Sequence, residues 1–273
     1  MLTLFKHELF SRWVSILGWG IGLTLFASMY IGIFPEVADE MASLADLSLY
    51  QAMGIDLGSF AGYIASVVVQ IMPVILGVYV IMVSTGTLAG EEDNGTLELV
   101  VATPLPRWQI VAMKAAALAV VLFLILAIVG VGSALTLSIV KQTTEVDVTP
   151  IQLFVSLLGA FPLMLAFFSI GLFLGTIMPS RRVAVGVMTV VYIGSYLMQS
   201  VAALVESMAF LDAWSLFAYV DTTTSVFTDG IDASNVLILL AVSAVFFALA
   251  LWRFERRNIT VGAWFWQRAS VGG

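Results

Sequence analysis

The sequence predicts an all-α membrane protein with six transmembrane helices, an amphipathic interfacial helix at its start and a short cytoplasmic helix between the second and third spans. Three observations lead there. Six long apolar stretches, approximately residues 14–34, 60–89, 115–140, 151–178, 183–205 and 233–252, contain none of the 18 acidic and 11 basic residues. Each is near or above the roughly 20 residues an α-helix needs to cross about 30 Å of hydrocarbon. A helix that is apolar on every face belongs in lipid or in a large core, and the polar segments between the stretches are too short to fold into a soluble domain. The chain therefore reads as one transmembrane domain over residues 1–273.

Consecutive spans reverse direction, so the termini and the second and fourth loops share one side. That side holds Lys6, Arg12, Arg107, Lys114, Arg181, Arg182, Arg253, Arg256, Arg257 and Arg268, and only Lys141 lies opposite. Basic residues in short loops mark the cytoplasmic face, which places both termini in the cytoplasm of a multi-pass cell-membrane (plasma or inner membrane) protein. Most of the acids fall outside, among them Glu36, Asp39, Glu40, Glu145, Asp221 and Asp232. An acidic exterior repels phosphate backbones and argues against nucleic acid as a ligand. With no cysteine there is no disulfide, thiolate metal site or cysteine nucleophile.

Residues 1–13 precede the first span. Leu2, Phe5, Leu9 and Trp13 recur near helical spacing, with Lys6, His7 and Glu8 between them, as in a helix lying on the inner leaflet. His7 is read as a surface residue, and no metal site is expected. The first stretch exceeds a signal-peptide core and lacks a clear cleavage pattern, so it is expected to stay as a span. Residues 41–53 form a moderately amphipathic run suited to the outer surface. The second stretch, at about 30 residues, would reach roughly 45 Å and should tilt or project towards the cytoplasm, with a bend at Pro73. Gly-x-x-x-Gly spacings at Gly18/Gly22, Gly86/Gly90 and Gly171/Gly175 would let helices approach closely. The external segment 210–230 mixes Trp214, Phe217, Tyr219 and Phe227 with acids and threonines. Such a segment suits the headgroup layer and could re-enter the interface if it packs on protein.

The most informative polar stretch is GEEDNGTLELVVATPLPRWQIVAMK, residues 90–114. Glu91, Glu92 and Asp93 are acids at a helix start, which the helix dipole favours. Glu98 stands three residues after Gly95, as an N3 acid would. Leu97, Val100 and Val101 make one short apolar face. Pro104 disfavours helix at the residue before it, and Pro106 suits the first turn of the next helix. A face that small cannot form a core alone: it either docks in a partner's groove or rests on the membrane and neighbouring helix ends.

This stretch resembles the cytoplasmic loop of ABC-2-type transporter permeases, whose pattern is approximately G-E-x-x-x-G-T-L-E-x-x-x-x-x-P-x-x-R. Gly90, Glu91, Gly95, Thr96, Leu97, Glu98, Pro104 and Arg107 match it. RFERRNI, residues 253–259, is similar to the F-x-R-R-D-I ending of these permeases, with Asn258 in place of aspartate. The resemblance implies the membrane subunit of an ABC exporter, working as a homodimer or with a related chain on two cytoplasmic ATPase subunits. Residues 90–107 would then be the coupling loop, with Leu97, Val100 and Val101 buried in the ATPase, Glu91, Glu98 and Arg107 at the polar rim and Pro104 ending the helix. ATP and Mg would sit on the partner. The chain itself has no G-x-x-x-x-G-K-[ST] loop, and none of its lysines follows a glycine. No catalytic residue and no cofactor of its own are expected.

Two polar stripes cross the membrane stretches. Tyr63, Ser66 and Gln70, continued by Pro73 and Gly77, share a face of the second span, and Tyr192, Ser195, Tyr196 and Gln199 share a face of the fifth. They either line a translocation path or bond helix to helix. The absence of charge from the stretches favours an apolar or amphipathic cargo such as a lipid, drug or peptide over an ion relay. The competing reading is a self-contained secondary transporter or an ion-extruding permease, which calls for intramembrane acids or interrupted short helices. An intramembrane enzyme would require a base at membrane depth, and the stretches hold no carboxylate or histidine.

Overall fold

The computed structural model describes residues 2–45, 58–87 and 106–256, without the side chains of residues 2–4, 44, 45 and 107. The described residues contain no strand, and six of their helical segments are long and apolar enough to cross a membrane. An N-terminal helix, Leu2–Ser11, meets the first span at Arg12, the one non-helical residue between them. The first span is a single helix, Trp13–Ala45. It runs past Pro35, so Met41–Ala45 ends this helix and does not begin a separate external one. Residues 46–53, the remainder of the expected outer run, lie outside the described residues.

The second span is composite. Phe60–Ile64 is α-helical, with the Ser59 hydroxyl accepting from the Gly62 amide at 3.0 Å. Ala65–Val69 forms a π-turn, closed by the Gln70 amide on the Ala65 carbonyl, and Ile71–Gly86 resumes the α-helix. Pro73 supplies the reason for a disturbance here. It has no amide hydrogen for the Val69 carbonyl, and its ring crowds that oxygen. The wider turn just ahead of it relieves the crowding.

The third span, Arg107–Val140, is unbroken over 34 residues, with Pro106 immediately before it. At 1.5 Å per residue it is roughly 50 Å long, so one end must stand beyond the hydrocarbon. The fourth span is broken. Thr149 and Gln152 form a capping box on Pro150–Leu158, a turn follows at Gly159–Ala160, and Phe161–Ile177 completes the crossing. Pro162 in the first turn of the second piece cannot donate to a preceding carbonyl, which makes the interruption natural. The fifth span is Arg181–Leu204, and Asp232 caps the sixth, Ala233–Glu255.

The first span packs along the third, and the second half of the fourth packs along the sixth and against the second. The fifth leans on the second, and the N-terminal helix lies on the third more than on the first. Phe167, Phe168, Met72, Leu76 and Leu118 are among the fully buried side chains at the centre. Of the glycine spacings, Gly171 touches Ser84 of the second span, and a Cβ there would overlap that side chain. Gly18 and Gly22 have open space around them within this chain, and Gly90 lies outside the described residues.

Candidate functional site

The two polar stripes meet at one point. Tyr192, fully buried, lays its ring over Gly77, where any side chain would overlap it. Its hydroxyl donates to the Pro73 carbonyl at 2.6 Å. A hydroxyl in an apolar interior needs such a partner, and glycine at residue 77 is what lets the ring come near enough. The disturbed middle of the second span is thereby fastened to the fifth.

The rest of the stripes diverge. Tyr63 turns away from the fifth span and packs on Phe34 of the first at 5.2 Å. The half-buried Ser66 donates back to the Gly62 carbonyl. Gln70 and Gln199 are half-buried. Ser195 faces the segment between the fifth and sixth spans: Ser215 Oγ donates to the Ser195 carbonyl at 2.7 Å, and the Leu216 amide donates to Ser195 Oγ at 2.9 Å. Ser195 lies nine residues before the end of the fifth span at Leu204. The chain after the fifth span has thus folded back roughly 13 Å along the helix axis. Phe217 fills the space so reached, 5.3 Å from Tyr192, 5.4 Å from Tyr196 and 5.5 Å from Phe167 between ring centroids. This re-entry obeys the rule that irregular backbone survives at depth only when protein satisfies it. Trp214, just before it, stays exposed.

A second cluster lies where the N-terminal helix meets the bundle. Lys114 Nζ donates to Glu8 Oε1 at 2.7 Å, with the two side chains only 5% and 13% exposed. Arg12 Nε stands 3.6 Å from the other oxygen of Glu8. Tyr79 of the second span turns its hydroxyl towards Arg12 and Ser15 and packs its ring on Trp19 at 5.5 Å. Burial alone would raise the Glu8 pKa. The hydrogen bond and charge of Lys114, with the charge of Arg12, outweigh it and hold the carboxyl below its ordinary 4.5. Spacing alone put Glu8 on the solvent face of an interfacial helix and Lys114 just outside the third span. Instead, both are largely covered, and Lys114 lies inside that helix. The available signal was their opposite charge on one side of the membrane, which names no partner.

The remaining landmark on this basic side is Arg181, at the start of the fifth span. Its guanidinium lies against Gly86, and Nη2 is 3.5 Å from the Met82 carbonyl. A cation at the carboxyl end of a helix faces the favourable pole of its dipole. Arg107 is the first helical residue of the third span. Glu91, Leu97, Glu98, Val100, Val101 and Pro104 fall outside the described residues, as does the end of RFERRNI beyond Arg256. No group of histidine, aspartate and glutamate able to hold a metal occurs among the described residues.

The profile of the family described as ABC-2 family transporter protein matches residues 2–259. The chain belongs to that family. It is accordingly a membrane permease of an ABC transporter, a kind of subunit that is generally non-catalytic and that associates with ABC ATPases. A search of curated proteins returned no match.

Two measurements examine the permease's two clusters. Tyr192→Phe loses one hydrogen bond and should cost about 0.5–1.5 kcal/mol, whereas Phe217→Ala leaves a hole among three rings and should cost about 3–5 kcal/mol. Thermal unfolding in detergent, followed by size exclusion, would rank them in that order. Because folding lowers the Glu8 pKa, its ion pair contributes fully above 4.5 and fades as the pH falls below that value. A spin label on Phe10→Cys should therefore stay immobile from neutral pH down to 4.5 and gain mobility only below it.

Proposed function

We propose that the chain is the permease of an ATP-driven exporter, paired with a second permease subunit and driven by two cytoplasmic ATPases that carry the ATP and Mg. The family match over residues 2–259 is the observation that carries this reading. Residues 90–107 form the coupling loop, in which Leu97, Val100 and Val101 enter the ATPase and Glu91, Glu98 and Arg107 line the rim. Pro104 stops the helix. The basic side, where this loop leaves the second span and enters the third, is the cytoplasmic side. The open surroundings of Gly18 and Gly22 leave room for a helix of the second subunit to approach.

The translocation path runs beside the second and fifth spans. The half-buried Ser66, Gln70, Tyr196 and Gln199 supply its polar points, while Tyr63, Tyr192 and Ser195 hold its wall to the neighbouring elements. The Tyr192–Pro73 bond closes the wall in the state described here. Beyond its first residue, Arg107, the described third span holds one acid or base, Lys114 near its base, and Glu8 neutralises it. A path without free charge suits an apolar or amphipathic cargo such as a lipid, drug or peptide.

The test is capture. The permease, purified with ATPase subunits encoded beside it, should bring them down, and Leu97→Asp should weaken that capture at least about tenfold, equivalent to roughly 1.4 kcal/mol. Undiminished capture by Leu97→Asp and Val101→Asp would remove this face from the interface.

A further inference from the structure

We propose that Glu8 and Lys114 are a positioning pair that binds the N-terminal helix to the base of the third span, so that the two move as one body. The geometry of three joints supports this. The tight joint is the ion pair itself: 2.7 Å, charge-assisted and largely shielded from solvent. Shielding matters because an exposed pair holds little, whereas a covered one is costly to break from either side. The loose joint is Arg12. It is the single non-helical residue between the N-terminal helix and the first span, and its side chain reaches Glu8 only at 3.6 Å. Arg12 interrupts the helix while its backbone stays bonded on both sides, its amide to the Leu9 carbonyl at 3.2 Å and its carbonyl to the Ile16 amide at 2.9 Å, so any bend between the two helices is confined to this one residue.

The third joint is the stretch from Arg107 to Lys114. It is continuous helix with no proline or glycine, and seven residues make about two turns, or roughly 10 Å. A displacement delivered at Arg107 reaches Lys114 without a soft element to absorb it. Glu8 then passes it to the N-terminal helix, which pivots at Arg12. Leu9 supports the same seat, since it packs on the buried core. Lys114 is therefore held in place to transmit motion, and the N-terminal helix is a strap carried by the third span. That the displacement originates at an ATPase rests on the function proposed above. The clamp does not.

The chain contains no cysteine, so engineered thiols can be labelled without background. Spin labels on Phe10→Cys and Phe123→Cys, both at exposed residues, would report the separation of strap and third span in lipid nanodiscs. The permease alone should give one narrow distance distribution. Glu8→Gln and Lys114→Gln should each broaden it, and the exchange of charges, Glu8→Lys with Lys114→Glu, should narrow it again. A distribution indifferent to the Gln variants, or one that the exchange fails to restore, overturns the clamp. If Lys114→Gln does not accumulate in the membrane, accumulation restored by the exchange supports the pair, and continued loss contradicts it.

A second arm uses the complex with the ATPases. The single Gln variants should retain ATPase capture yet lower ATP turnover about tenfold, with the exchange returning most of it. Normal turnover in both Gln variants would leave the pair without a part in coupling. Failure of the wild-type chain to capture any ATPase would count against the proposed function, while the distance measurement on the permease alone would still decide the clamp.

Discussion

Hydrocarbon offers a backbone amide nothing to bond with except the rest of the chain, and the described architecture follows from that constraint. Six helices satisfy it internally. Where the helix is disturbed, neighbouring protein covers the fault. The π-turn ahead of Pro73 lies in the span that Tyr192 braces, and the Tyr192 hydroxyl bonds the Pro73 carbonyl. The turn between the two halves of the fourth span keeps its amides on the carbonyls of Val155, Ser156 and Leu157. The segment between the fifth and sixth spans bends back along the fifth where Ser195 and Ser215 serve its amides.

Charge obeys the same economy with one departure. The helices hold charge only towards their ends, and the one charged residue buried among those described, Lys114, is covered only because Glu8 comes with it on a separate helix. An uncompensated ammonium there would be expensive, so the N-terminal helix cannot simply float on the membrane surface. Its attachment is specific. On the same side, Arg181 leans on the last turn of the second span. Both helices that frame residues 88–105 thus carry a cationic contact to another element close to their ends. The loop proposed to meet the ATPase therefore hangs from two braced supports.

Much of the fold was legible from period and composition. The described residues of the six apolar stretches are helical apart from Gln70, the turn at Gly159–Ala160 and a few at the stretch ends, and Pro73 was expected to disturb the second. The breaks and extensions were harder to read. Nothing in the apolar run of residues 151–178 separates one long helix from two, because Gly159 and Pro162 are tolerated in either. The first apolar stretch ends at residue 34, yet the first helix continues through Pro35, since proline removes one hydrogen bond and the flanking turns keep theirs. The stripe in the fifth span was visible as spacing, but the partners were not. Tyr192 could not be assigned to Gly77, nor Ser195 to Ser215, until long-range packing brought them together. Glu8 and Lys114 were hidden for the same reason, being separated by more than a hundred residues.

The central claim is that the segment between the second and third spans faces the compartment where ATP is made available to a partner. A cysteine-free chain permits a direct measurement: single cysteines at Asn94 and Asp229, challenged in intact cells with a maleimide that cannot cross membranes. The thiol at residue 229 should react at once, and the thiol at residue 94 only after the cells are opened. Labelling of residue 94 in sealed cells would contradict the orientation and, with it, the coupling of this permease to an internal motor.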